Sequence, residues 1–182
     1  HMLDLPLDQV REIVPAVGGA FGGREDMHIQ HLLALCAYLV RRPVKMVFTR
    51  EEVMRCTGKR HPFSIRCRHG ASAAGTLTAV EMEIVSDAGA YPSTSIPILG
   101  NAVSFAVGPY AVPHARIDGY TVLTNNAVSM AMRGFGAVQG AVCYEQQMDR
   151  LASALGVEPV ELRLRDLLEE GSEALLGNRM AA

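Results

Sequence analysis

Apolar side chains recur at three- and four-residue steps through Ile29, Leu32, Leu33, Cys36 and Val40, with Glu25 and Asp26 ahead of them and Arg41, Arg42 and Pro43 behind. That period predicts an amphipathic helix starting at Glu25, with charges arranged to suit its dipole. Ahead of it, the β-branched stretch 11–17 predicts a strand running into the glycine turn Gly18-Gly19-Ala20-Phe21-Gly22-Gly23. Residues 44–49 alternate as a strand and 50–55 allow a helical turn. Residues 61–69 and 76–88 predict two strands around a turn at 70–75. Prolines and glycines punctuate the next stretch, with a short helix at 98–105 and a strand at 115–123. A second loop, 124–136, ends in Arg133-Gly134-Phe135-Gly136. Val138, Ala141, Val142, Met148, Leu151, Ala152 and Leu155 then mark a helix stopped at Gly156, and Glu158-Pro159 opens another. The pattern predicts an α+β fold: a mixed β-sheet with packed amphipathic helices.

Composition narrows the class. With 182 residues, 49% of them hydrophobic, the chain holds enough apolar material for one sizeable core. Lys plus Arg is 17 and Asp plus Glu is 19, so the net charge of −2 supplies no footprint for a phosphate backbone, and no nucleic-acid partner is expected. The longest apolar run, residues 32–40, falls far short of the roughly 20 residues needed to span a bilayer. No membrane partner is expected either. Cys36, Cys56, Cys67 and Cys143 match neither a zinc site nor a small disulfide framework, and a reducing, cytoplasmic setting is the reading. His1-Met2 reads as a cloning scar ahead of a chain that begins in mid-stride, so residues 3–182 are expected to be one domain, or a fragment of one.

Two segments share a chemistry: an extended stretch, a glycine-rich turn, then a helix. Small residues at 18–25 and 134–137 let backbone N–H groups approach a ligand, and the helix starts that follow favour an anion. Arg133 adds a planar donor beside the second turn. A dinucleotide fingerprint is not spelled, because Ala20 stands where its second glycine belongs, and the Walker lysine is absent. Phe21 and Phe135, each set between small residues, either pack into the core or wall a pocket. No catalytic thiol, nucleophile elbow or metal-ligand cluster is expected.

Val17-Gly18-Gly19-Ala20-Phe21-Gly22-Gly23-Arg24-Glu25 and Met132-Arg133-Gly134-Phe135-Gly136-Ala137-Val138-Gln139 resemble the two signature loops of the molybdenum-binding large subunit of the xanthine dehydrogenase and aldehyde oxidase family. Gly58-Lys59-Arg60-His61-Pro62-Phe63 and Ser86-Asp87-Ala88-Gly89-Ala90-Tyr91 resemble it too, in the right order. The resemblance implies part of the first molybdopterin-binding domain of a molybdenum hydroxylase, which places a water-derived hydroxyl on an N-heterocycle (xanthine-like) or an aldehyde. It implies a molybdopterin cofactor whose dithiolene carries the metal, so that the protein supplies position and electrostatics. By motif position, Gly19, Phe21, Gly22, Ala131, Met132 and Arg133 would bind that cofactor, and Glu25 and Phe135 the substrate. Iron–sulfur and FAD groups would sit on partner domains or subunits, and the remainder of the large subunit would be this chain's main partner.

The sequence also departs from that pattern. Glu25 is similar to purine-hydroxylating members, whereas Gly89-Ala90-Tyr91 resembles the aldehyde side, so the substrate class stays open. The carbon monoxide dehydrogenase cysteine is missing from the second loop. The general base of the family would lie beyond Ala182, so this chain is expected to hold no catalytic residue, to lack the cofactor by itself and to be inactive alone. A competing reading is a free-standing module that binds an anionic metabolite at its two glycine loops.

Overall fold

The computed structural model describes residues 3–181. The proposed cloning scar lies outside the described residues. Residues 63–168 form the core, around a three-stranded mixed sheet ordered β1-β2-β3. β1 (Phe63–Ala71) and β2 (Leu77–Gly89) pair antiparallel through the turn at 72–76, and β3 (Ala115–Leu123) pairs parallel to β2. Parallel neighbours need a long crossover, and α3 (Ser95–Ser104) lies within it. The period-two pattern of β2 explains its layering: Met82, Ile84, Ser86 and Ala88 are buried, while Glu81 and Glu83 turn outward to Arg68 and Arg66.

Two apolar clusters follow. Met82 and Ile84 pack with Ala102 and Ala106 of the α3 region; Leu77 and Tyr110 pack with Met148 and Ala152 of α4 (Ala137–Leu155) and Leu162 of α5 (Pro159–Asp166). Gly156 ends α4 in the left-handed conformation, and Glu158 caps α5 by accepting from the Val160 and Glu161 amides. Arg163 joins the two helices through 2.8 Å contacts to Glu145 and Asp149.

The α+β class holds, with four corrections. Residues 11–17 and 44–49 are not strands: the backbone there pairs with no neighbour among the described residues, and alternation yields a strand only where a sheet edge receives it. The first long helix, α1, spans Gln30–Val40 rather than starting at Glu25. Two contacts precede it: Ser93 donates to the Asp26 carboxylate at 2.6 Å, and the Gln30 side chain takes the His28 and Ile29 amides ahead of the first turn. Finally, Cys67 and Cys143 form a disulfide between β1 and α4, while Cys36 and Cys56 are free. A separation of 76 residues conceals a proximity that only sheet-on-helix packing creates.

α2 (Arg50–Cys56) starts on a capping box between Thr49 and Glu52. Neither α1 nor α2 buries a residue fully, and Leu7, Ile13, Leu39 and Val47 stand exposed. No described helix is long and apolar enough to cross a membrane.

Candidate functional site

The two glycine loops meet. The Arg133 amide donates to the Phe21 carbonyl at 2.8 Å, joining positions 112 residues apart. Glycine is required at that junction: a Cβ on Gly22 would lie 2.6 Å from the Ala131 carbonyl oxygen and 3.0 Å from the Met132 Cα, and its φ is +106°. Phe21 and Phe135 also carry positive φ, at 52° and 44°. Such backbone is uncommon for bulky residues and persists only where its surroundings hold it.

Those surroundings come from three directions. Gly58-Lys59-Arg60-His61 lies along the second loop: the Met130 amide donates to the Lys59 carbonyl at 2.8 Å, and the Arg60 guanidinium donates to the Arg133 carbonyl at 2.7 Å. Gln139, on the first turn of α4, ties this strap to the helix by donating to the His61 carbonyl at 3.2 Å. From α3, Asn101 donates to the Phe135 carbonyl at 2.7 Å. Buried His61 meets Ser95 at 2.7 Å; burial pushes its pKa down, against the Met130 carbonyl, Asp87 and Asp26. The neutral ring therefore sits between the start of α3 and the second loop. Asp87 ties the ends of β2 and β3 by accepting from Thr124, Gly89 and Asn126, which hold its pKa down.

Most of the residues singled out in the sequence come together. Phe21, Gly22, Ala131, Met132 and Arg133 share the junction, and the Phe21 ring folds back so that a Cβ on Gly19 would touch it at 3.0 Å. Phe21 is 61% exposed, which excludes core packing in this chain, and Phe135 is half-buried. Glu25 is exposed and follows the turn closed by its own amide on the Gly22 carbonyl, in irregular backbone and not at a helix start. The helix-dipole contribution predicted for the first loop therefore falls away, since α1 begins at Gln30. At the second loop it holds, because α4 begins at Ala137, directly after the Gly134-Phe135-Gly136 turn.

The junction is rich in unused donors. Among the described residues, the amides of Gly22, Met132, Gly134 and Gly136 meet no acceptor. The exposed Arg133 guanidinium has no carboxylate partner there either. Gly136 is buried against α3, so the less buried members of this set, the Gly22, Met132 and Gly134 amides with the Arg133 guanidinium, are the ones that suit an anionic, oxygen-rich guest lying across the hydrogen-bonded loops. An apolar cavity of about 510 Å³ lies elsewhere, between Phe105, Tyr144 and the segment 174–180. The sequence did not single out Asn101, and its motifs contain Arg60, His61 and Gln139 without giving any of them a role at the site. Their partners lie 33 to 79 residues away, which no local spacing reveals.

Comparison with known proteins gives the junction a context. The model of the molybdopterin cofactor-binding domain matches residues 1–167. The nicotinate dehydrogenase large molybdopterin subunit of Eubacterium barkeri is 43% identical over 176 residues, covering 97% of this chain and 41% of that protein. The xanthine dehydrogenase molybdenum-binding subunit of Escherichia coli O157:H7 is 37% identical over 183 aligned positions, covering 98% of this chain and 24% of that protein. Aldehyde oxidoreductase from Desulfovibrio gigas superposes with a TM-score of 0.85 at 32% identity, over 89% of this chain and 18% of that one. The chain thus spans less than half the length of each of these relatives.

Proposed function

Because the chain belongs to the molybdopterin cofactor-binding domain family, we propose that residues 3–182 are part of the first such domain of a molybdenum hydroxylase and that the loop junction is where its cofactor rests. The observation that carries this reading is the 2.8 Å bond from the Arg133 amide to the Phe21 carbonyl, which makes two separate glycine turns a single donor-lined shelf. Gly19, Phe21 and Gly22 form one side and Ala131, Met132 and Arg133 the other. Free amides and the Arg133 guanidinium would hold an oxygen-rich, negatively charged cofactor of this kind. When bound, the cofactor supplies a two-electron oxidation and a water-derived oxygen.

This chain's own residues hold and orient. Phe21 and Phe135, both in left-handed backbone, would flank the shelf as apolar side chains, Phe135 toward the substrate, and Glu25 would supply a carboxylate to a substrate N–H. The relatives named for nicotinate and xanthine are 43% and 37% identical, against 32% for the aldehyde oxidoreductase, so an electron-poor N-heterocycle is the first substrate class to test and an aldehyde the second. On this reading the general base and the iron–sulfur and flavin groups are carried outside these 182 residues, which by themselves should show no hydroxylation.

The test is the full-length protein, purified and assayed for pterin, molybdenum and hydroxylation of nicotinate, xanthine and an aromatic aldehyde. Arg133→Ala should lower cofactor content and turnover together. Absence of pterin from the wild-type protein, or full cofactor content and turnover in Arg133→Ala, overturns the reading.

A further inference from the structure

A peptide unit is planar and trans, so a carbonyl held from one side fixes the next residue's N–H toward the other. Three carbonyls at the loop junction are held in this way. The Arg133 amide holds Phe21, the Arg60 guanidinium holds Arg133, and the Asn101 amide holds Phe135. The N–H groups fixed by these anchors belong to Gly22, Gly134 and Gly136, each with positive φ and none with an acceptor among the described residues. Two of the anchors come from other backbone or an uncharged amide. The third is a cation.

Arg60 is half-buried and, among the described residues, touches no carboxylate. Its donors reach the Arg133 carbonyl at 2.7 Å and the Gln139 side-chain oxygen at 3.5 Å. Gln139 in turn donates to the His61 carbonyl, so the guanidinium is held between its own strap and the first turn of α4. A guanidinium without a carboxylate keeps its full charge for an acceptor and for any anion beyond it. The strap lies close against the second loop, since a Cβ on Gly58 would overlap the Met130 side chain.

We propose that Arg60 is a positioning residue for the cofactor: by clamping the Arg133 carbonyl it sets the Arg133–Gly134 peptide plane, directs the Gly134 N–H to the shelf and holds the second loop against the first. This rests on the reading of the shelf as the cofactor site. Arg60 acts through the backbone of the second loop, without itself donating to the guest. Lysine at this position would still reach the carbonyl as a point charge but would lose the fork that also engages Gln139, so it should restore only part of the effect.

The experiment uses the full-length protein as Arg60→Ala and Arg60→Lys, with two readouts. The first, on cofactor-free protein, is amide hydrogen exchange across residues 129–136, where the Arg133 and Phe135 amides are bonded in the wild type. Arg60→Ala should speed exchange there about tenfold, the change expected from losing one charge-assisted bond. Exchange at 148–152 in the core should stay unchanged, showing that the variant has folded. The second, on loaded protein, is the rate of pterin loss followed by pterin fluorescence, which should rise about tenfold in Arg60→Ala and less in Arg60→Lys. Unchanged exchange at 129–136 overturns the clamp, and so does faster exchange with no change in pterin loss. Wild-type protein that never carries pterin defeats the cofactor reading instead, and the exchange arm still decides the clamp.

Discussion

Gly22→Ala tests the junction at its tightest point. The added methyl would lie 2.6 Å from the Ala131 carbonyl oxygen, 2.8 Å from its carbon and 3.0 Å from the Met132 Cα, all backbone atoms that no rotamer change removes. The φ of +106° adds strain for any residue with a Cβ, roughly 1–3 kcal/mol. Overpacking contributes a similar amount, about 1–3 kcal/mol. The cheapest relief is to part the loops and forfeit the Arg133-to-Phe21 hydrogen bond, worth about 1 kcal/mol. Because Phe21, Arg133 and Gly134 are already exposed, parting them disturbs neither apolar cluster. The damage should therefore stay local: a melting temperature within a few degrees of wild type, with cofactor affinity reduced about 30-fold for every 2 kcal/mol spent in separating the loops. Gly18→Ala is the control, since a Cβ there meets nothing within 4 Å and its φ is ordinary. The assay is pterin retention in full-length protein during dialysis, beside hydrogen exchange at 129–133. Equal retention in the two variants would show that the loop contact does not govern cofactor binding.

Two further predictions concern the scaffold. Burial holds the His69 pKa at about 4, and its Nδ1 finds no partner among the described residues. A histidine whose folded pKa is depressed binds its proton more readily when unfolded. Stability should therefore fall as pH drops from the unfolded value near 6.5 through about 4, by roughly 1–2 kcal/mol after allowing for partial solvent screening. His69→Gln should flatten that window in urea titrations, and an unaltered slope would refute the assignment. Asp166, its pKa raised by burial and only partly lowered again by the Leu77 amide, accepts that buried amide at 2.8 Å. Asp166→Ala should cost about 1–3 kcal/mol by orphaning the donor, whereas Asp166→Asn, which keeps an acceptor without a charge to desolvate, should melt at or above wild type in calorimetry at pH 7.

Much of the core was legible because its signals are local. The alternation of residues 76–88, the span of residues 115–123 and the Gly156 stop depend on near neighbours, and the structure places elements there within two residues. The N-terminal third misled for a related reason. The β-branched stretch 11–17 and the alternation at 44–49 carry strand propensity, but a strand also needs a partner edge, and no described strand offers one there. α1 was read too long because apolar spacing alone does not reveal that the Gln30 side chain takes the His28 and Ile29 amides and marks the helix start there.

The sequence by itself determined the chemistry available: two glycine turns able to adopt positive φ, an arginine beside one of them, and a family pattern spread over most of the chain. These follow from residue type and short spacing, since the conformational freedom of glycine and the charge of arginine exist before folding. Only the tertiary structure decided that Phe21 and Arg133 share a hydrogen bond, that Arg60 and Asn101 hold carbonyls of the second loop, and that Cys67 meets Cys143. Each of these contacts joins positions more than 30 residues apart. Their geometry is set by how β2, α3 and α4 pack around buried Met82, Ile84 and Ala102, a collective outcome that no local stretch encodes.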